Sequence, residues 1–202
     1  MAGDQLKRFD RWRRRLPANT VYLADLVIDE IVPIFRERGF DRFPDYAVAS
    51  AFAIGPNGIS LQRRSGPEWP TVEIVFDKRS RPVLGVHFAM LPEVCCRQTE
   101  NGPKEIPRLQ ANVVEGSAFF ILCKGRRGNF DGNFGYSWLA LRPKHKLDGE
   151  IATLRSLIPW LLEILEKGIP ESWYEKPAGY VEQYAFLSPA SNILSKSLKG
   201  GW

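Results

Sequence analysis

Three residues on two neighbouring predicted strands have the side chains that general acid–base chemistry needs. Glu73 and Asp77 fall on one face of the strand predicted over residues 72–77. His87 falls on the corresponding face of the strand predicted over residues 83–91, because side chains alternate between the faces of a sheet. A carboxylate beside an imidazole can exchange a proton near neutral pH. An antiparallel sheet also shows polar side chains on a face exposed to water, so a purely structural role stays open.

The first sixteen residues form a basic arm rich in aromatic side chains. They hold six bases against two acids, whereas residues 17–202 hold 22 bases against 21 acids, so most of the net charge of +5 lies in the arm. Guanidinium groups interleaved with aromatic rings suit contacts with phosphates or acidic protein faces. The predicted partner-binding residues of the arm are Lys7, Arg8, Arg11, Trp12, Arg13, Arg14 and Arg15. We expect the arm to be separable from the fold; the alternatives are a solvated, frayed first helix, a helix whose Phe9 and Trp12 dock on the body, and contact with a membrane surface.

The glycine-rich loop over residues 125–135 is a second candidate binding segment. It imitates the start of a calcium loop, but Ala140 stands where a bidentate glutamate is required. It also lacks the Gly-Lys-Ser/Thr ending of a phosphate-binding loop. We therefore interpret it as a hairpin tip that contacts a partner, with a plain flexible loop as the alternative. The predicted contact residues are Arg126, Arg127, Phe130 and Phe134.

Several kinds of site are disfavoured by the residues present. Two histidines and three cysteines, with no Cys-x-x-Cys pair, make a four-ligand zinc site improbable. The motifs Gly-x-Ser-x-Gly, His-Glu-x-x-His and Gly-x-Gly-x-x-Gly do not occur. We predict no metal and no cofactor. The odd cysteine count, with no secretory signal and no membrane span in the sequence, predicts a cytoplasmic protein.

Two amphipathic helices flank the predicted strands. The first begins near Thr20 and carries apolar residues at steps of three and four. Gly39 fits the left-handed position that ends a helix, and Pro33 should kink or break it. The second begins near Asp148 and is interrupted by Pro159.

The predicted strands form a four-stranded antiparallel meander followed by two further strands. The meander covers residues 46–53, 59–64, 72–77 and 83–91, and the later strands cover 118–124 and 136–142. Between them, residues 93–112 are expected to form a long excursion. We predict an α+β fold, with an antiparallel sheet of about six strands and two main helices packed on one face.

The charge distribution and the predicted elements divide the chain into three segments. They are the basic arm over residues 1–16, a single α+β domain over residues 17–168, and an aromatic-rich C-terminal tail over residues 169–202. So many aromatic residues predict that the tail packs on the body or on a partner.

The run over residues 31–40, an amphipathic helix ending in Gly39-Phe40 and followed by a meander, resembles the start of small bacterial domains of unknown function. Some of these domains are found beside toxin or defence genes as immunity or accessory proteins. The resemblance covers residues 20–92 and transfers no functional residue. It implies a non-enzymatic protein-interaction module. The alternatives are a nucleic-acid-associated protein that uses the arm and the loop, and an enzyme with an acid–base site on the open face of the sheet.

Overall fold

The structure is a computed structural model. It describes residues 9–42, 57–107, 113, 118–125, 133–136, 141–167, 175–176 and 179–185, the last two segments by their backbone only. Within this part, helices pack against one face of an antiparallel sheet. The α+β class predicted from the sequence is confirmed.

The first predicted helix is divided by a π-helical turn. Residues 9–13 form a short helix α1, Ala18–Leu26 form α2, Val27–Ile31 form the π turn, and Val32–Glu37 form α3. The amide of Val32 donates to the carbonyl of Val27, five residues back. The π turn ends two residues before Pro33. Proline has no backbone N–H, and its ring crowds the preceding turn of an α-helix. The predicted break at Pro33 is therefore a π turn.

The end of α3 is the capping motif that its sequence predicts. Gly39 has a φ of +78°, which a residue without Cβ adopts readily. Its amide donates to the carbonyl of Arg36, and the amide of Phe40 donates to that of Phe35. The rings of Phe35 and Phe40 meet edge to face at 5.6 Å, so both the hydrogen bonds and the apolar contact of a Schellman motif are present.

The long helix α4 covers Pro143–Lys167 and begins five residues before the predicted start at Asp148. Proline is favoured in the first turn, because its fixed φ suits a helix and its missing N–H would have no acceptor there. Asp148 therefore does not cap the helix. Its carboxylate accepts a hydrogen bond from the hydroxyl of Tyr22 at 2.7 Å and so joins α4 to α2.

The described residues form ten strands. They are β1 Asp41–Arg42, β2 Gly58–Gln62, β3 Glu68–Phe76, β4 Val83–Pro92, β5 Val94–Thr99, β6 Gly102–Pro107, β7 Ala118–Lys124, β8 Phe134–Gly135, β9 Glu175–Lys176 and β10 Gly179–Ala185. The main sheet has the order β1-β2-β3-β4-β7-β10-β9, with β8 beside β4, and all its pairs are antiparallel. The predicted strand over residues 46–53 lies outside the described residues, as does most of that over 136–142.

Two segments differ from their predictions. The excursion expected over residues 93–112 contains the hairpin β5–β6, which pairs over six residues and forms a sheet of its own. The segment expected as a tail contains β10, which pairs with all seven residues of β7 and extends the main sheet. β5 pairs with the strand that follows it, and β10 pairs with a strand distant in sequence. The apolar pattern of a segment can indicate a strand, but it does not indicate which strand is its partner.

The core lies between the helices and one face of the sheet. On β3 and β4 the inward side chains are Val72, Ile74, Phe76, Leu84, Val86 and Phe88, all nearly inaccessible to water. They pack with the apolar stripes of α2, α3 and α4. A smaller cluster on the other face joins Ala89 and Leu91 to the hairpin and to Val113. The second face is therefore partly covered.

Candidate functional site

Glu73 and His87 lie directly opposite each other on β3 and β4. Cross-strand neighbours in an antiparallel pair have Cβ atoms about 4.5–5.5 Å apart. Both belong to the set of positions that alternates with the core residues, as the sequence predicts. The expectation that this face is open is wrong at Glu73, which is 1% exposed. Its Oε1 accepts a hydrogen bond from the backbone amide of Val113 at 3.0 Å, so a segment distant in sequence covers it.

His87 is held in its neutral form by burial. Desolvation lowers the pKa of its imidazole from 6.5 to about 4. Gly85, two residues earlier on the same face, leaves room for the ring: a Cβ there would lie 3.3 Å from His87 Nε2 and 3.3 Å from Asn133 Oδ1. The ring of Phe119 packs at 6.1 Å on the β7 side. His87 is therefore uncharged at neutral pH.

Asp77 is separated from the other two residues by its position just beyond β3. It anchors the turn between β3 and β4, accepting the backbone amide of Arg79 at 2.8 Å and the guanidinium of Arg81 at 2.6 Å. The hydrogen bond from Arg81 lowers the pKa of Asp77 below its usual range. The predicted triad of Glu73, Asp77 and His87 is thus not brought together. Asp77 stabilises a turn.

The arm is a docked helix from residue 9 onward. Phe9 is 2% exposed, and its ring lies 5.4 Å from that of Trp12 and 5.9 Å from that of Phe76. Arg13 forms an ion pair with Asp25 on α2. Among the predicted partner-binding residues, Arg11, Arg14 and Arg15 are exposed, and Lys7 and Arg8 lie outside the described residues. Separability of the arm is therefore not expected beyond residue 8.

Only the two ends of the loop over residues 125–135 are described, and they are anchored. Lys124 forms an ion pair with Glu150 of α4 at 2.6 Å, and the amide of Gly135 donates to the same carboxylate at 3.2 Å. Phe134 is fully buried in the core, so the prediction that its ring is available to a partner is wrong. Arg126, Arg127 and Phe130 lie outside the described residues.

The tertiary structure gathers basic side chains at the end of the sheet where β3 passes into β4. Eight exposed bases lie there, and we call this surface the basic end: Arg11, Arg14, Arg15, Lys78, Arg79, Arg142, Lys144 and Lys146. The rings of α1 rest on Phe76, and Thr20 at the start of α2 donates to the carbonyl of Ser80 at 2.6 Å. The start of α4 is joined to α2 where the ammonium of Lys144 lies 5.1 Å above the ring of Tyr22.

Sequence reasoning missed this surface because its members come from three separate segments, over residues 11–15, 78–79 and 142–146. Each of the two longer basic runs, over residues 78–81 and over residues 144–146, is evident by itself in the sequence. Their proximity depends on how α4 packs beside α2. The pattern of charges along the chain does not predict that packing. The carboxylate of Glu150, which secures α4 at this end through Lys124 and Gly135, was likewise not singled out.

Among the described residues, no group of three or more histidine, cysteine, aspartate or glutamate side chains could hold a metal ion. Within the same part of the chain, no helix is long and apolar enough to cross a membrane. No family model, curated protein or solved structure matches the chain.

Proposed function

We propose that the protein is a non-enzymatic interaction module that binds a protein partner. The observation that supports this proposal is the state of its best acid–base candidates. Glu73 is buried and accepts a backbone amide, and the partly buried His87 is desolvated, which lowers its pKa to about 4. A general base must lie within hydrogen-bond reach of the substrate proton that it removes, and burial keeps the carboxylate of Glu73 away from a substrate.

The specific form of the proposal is an immunity or accessory protein of a bacterial toxin or defence system, acting in the cytoplasm. Its support is the resemblance carried by residues 20–92 and their helix, Gly39-Phe40 and meander. We assign partner contacts to the loop over residues 125–135, whose flanking residues Lys124 and Gly135 are both anchored to Glu150 of α4.

Co-expression of the full chain with the products of its flanking genes tests this proposal. We expect one product to co-elute with the chain in size-exclusion chromatography at a fixed stoichiometry. The variant Arg126→Gln/Phe130→Ala should weaken the complex, whereas His87→Ala should leave it intact, since His87 faces the covered side of the sheet. Absence of a complex with every flanking product would contradict the proposal, as would substrate turnover that His87→Ala abolishes.

A further inference from the structure

We infer that the basic end is a nucleic-acid-binding surface that contacts the phosphate backbone. This inference goes beyond the proposed protein-interaction function and does not depend on it. The surface is built from three segments of the fold: α1 with the residues that follow it, the turn between β3 and β4, and the start of α4 with the residue before it. All eight of its bases are exposed.

Three acids near this surface form ion pairs with bases that do not belong to it, whereas Asp10 of α1 and Asp148 of α4 leave negative charge beside it. Asp77 pairs with Arg81, Asp25 with Arg13, and Glu150 with Lys124. Asp148 accepts the hydroxyl of Tyr22. Within the part of the chain that the structure describes, none of the eight bases at the basic end pairs with a carboxylate. Their charge is therefore available to a ligand from outside.

Two helix N-termini add to the positive potential. The start of α2 is held against Ser80, and the start of α4 lies beside Tyr22 on α2. Neither helix has an acidic residue in its first turn. Instead, α4 begins with Pro143-Lys144-His145-Lys146, which places cations where the helix dipole disfavours them. A bound anion would compensate this unfavourable arrangement.

The composition of the surface favours a nucleic acid over an acidic protein. A stable protein interface has a buried apolar centre surrounded by polar groups. Among the described residues, the exposed large apolar side chains are Leu141 and Val94, and only Leu141 lies at the basic end. Dense positive charge with a single apolar anchor fits phosphate contacts, whose energy comes chiefly from the release of counterions.

Fluorescence anisotropy with a labelled 20-base-pair duplex, a matched single strand and the corresponding RNA tests the inference. We expect the full chain to bind at least one of these probes at low salt. The logarithm of the association constant should fall linearly with the logarithm of salt concentration, by about 0.9 for each duplex phosphate neutralised and by about 0.7 for a single strand. No binding at low salt, or binding independent of salt, would overturn the inference.

Two variants of equal net charge decide whether the basic end is responsible. Lys78→Gln/Arg79→Gln/Arg142→Gln/Lys144→Gln should weaken binding about tenfold or more and make the salt slope shallower by about three. The control, Arg36→Gln/Arg38→Gln/Arg64→Gln/Lys104→Gln, removes four exposed bases elsewhere on the molecule and should change binding by about twofold or less. Equal losses in the two variants would overturn the assignment.

A second basic-end variant, Arg11→Gln/Arg14→Gln/Arg15→Gln, keeps the test decisive if the first does not fold as judged by circular dichroism. It should weaken binding by a similar factor. Polyglutamate of matched length separates nucleic acid from an acidic polypeptide. We expect it to compete poorly with the labelled probe, and competition as strong as that of unlabelled nucleic acid would overturn the choice of partner.

Discussion

His87 shows how burial changes what a titratable residue can do. On a solvated strand its imidazole would exchange a proton near neutral pH, which is what made it a catalytic candidate. Packed beside Gly85, Asn133 and Phe119, it is desolvated and its pKa falls to about 4. The residue therefore contributes to stability in a pH-dependent way.

We expect His87 to make the protein acid-sensitive. Its pKa is about 4 in the fold and near 6.5 in the unfolded chain, so the unfolded state binds the proton more tightly. The stability that neutral His87 confers is complete above pH 6.5 and is lost as the pH falls towards 4. At pH 4.5 the loss should be about 2–3 kcal/mol.

Urea denaturation at pH 7.5 and pH 4.5 measures this loss. The variant His87→Gln should lose less free energy of unfolding between these pH values than the wild type, by about 2 kcal/mol. His145→Gln, which removes the exposed histidine of α4, is the control and should behave like the wild type. An unchanged pH dependence in His87→Gln would contradict the burial argument.

Glu73 is expected to be structural. In Glu73→Ala the buried amide of Val113 loses its acceptor and a void forms, so the free energy of unfolding should fall by about 2–4 kcal/mol. Glu73→Gln retains an oxygen at the acceptor position and should lose less than half as much. Chemical denaturation measures both. A neutral effect of Glu73→Ala would show that Val113 is not fixed through this contact.

At the scale of elements, the short strand β8 lies close to the turn between β3 and β4. The two residues of β8 pair with the start of β4, and the amide of Tyr136 donates to the carbonyl of Pro82. The backbone of β8 lies so close to Pro82, in the turn between β3 and β4, that only glycine fits at position 135. There φ is +110° and a Cβ would lie 2.1 Å from the Pro82 carbonyl oxygen.

Gly135→Ala should therefore destabilise the protein by about 3 kcal/mol or more, because both the backbone conformation and the space exclude a side chain. Gly149→Ala is the matched control. Gly149 lies in α4, and no neighbouring atom lies within 4 Å of the point that a Cβ would occupy. The same substitution there should stabilise the helix by about 0.5–1 kcal/mol. Thermal unfolding of both variants compares them, and losses of similar size would contradict the close approach at β8.

At the scale of the whole molecule, the basic arm and the core are not independent. α1 places Phe9 and Trp12 on Phe76, while Arg11 of the same helix and Arg14 and Arg15 directly after it are exposed. The position of the charge therefore depends on the packing of the rings. Binding through Arg11, Arg14 and Arg15 would be organised by the same contacts that stabilise the fold.

Phe9→Ala should lower the free energy of unfolding by about 3–5 kcal/mol, since it removes a buried aromatic ring. Arg11→Ala, two residues along the same helix and exposed, should change it by about 0.5 kcal/mol or less. Equilibrium denaturation of the two variants measures the difference. If Phe9→Ala is as stable as the wild type, α1 is separable from the body.

Local patterns in the sequence determined the fold class, the end of α3 at Gly39 and the strand β7. Each depends on a property of neighbouring residues: apolar period, a glycine where φ is positive, or alternation between two faces. The tertiary structure alone decided that Glu73 is covered, that Phe134 is buried and that the basic end exists. Those outcomes depend on which distant segments pack together, and neither charge nor periodicity along the chain encodes that choice.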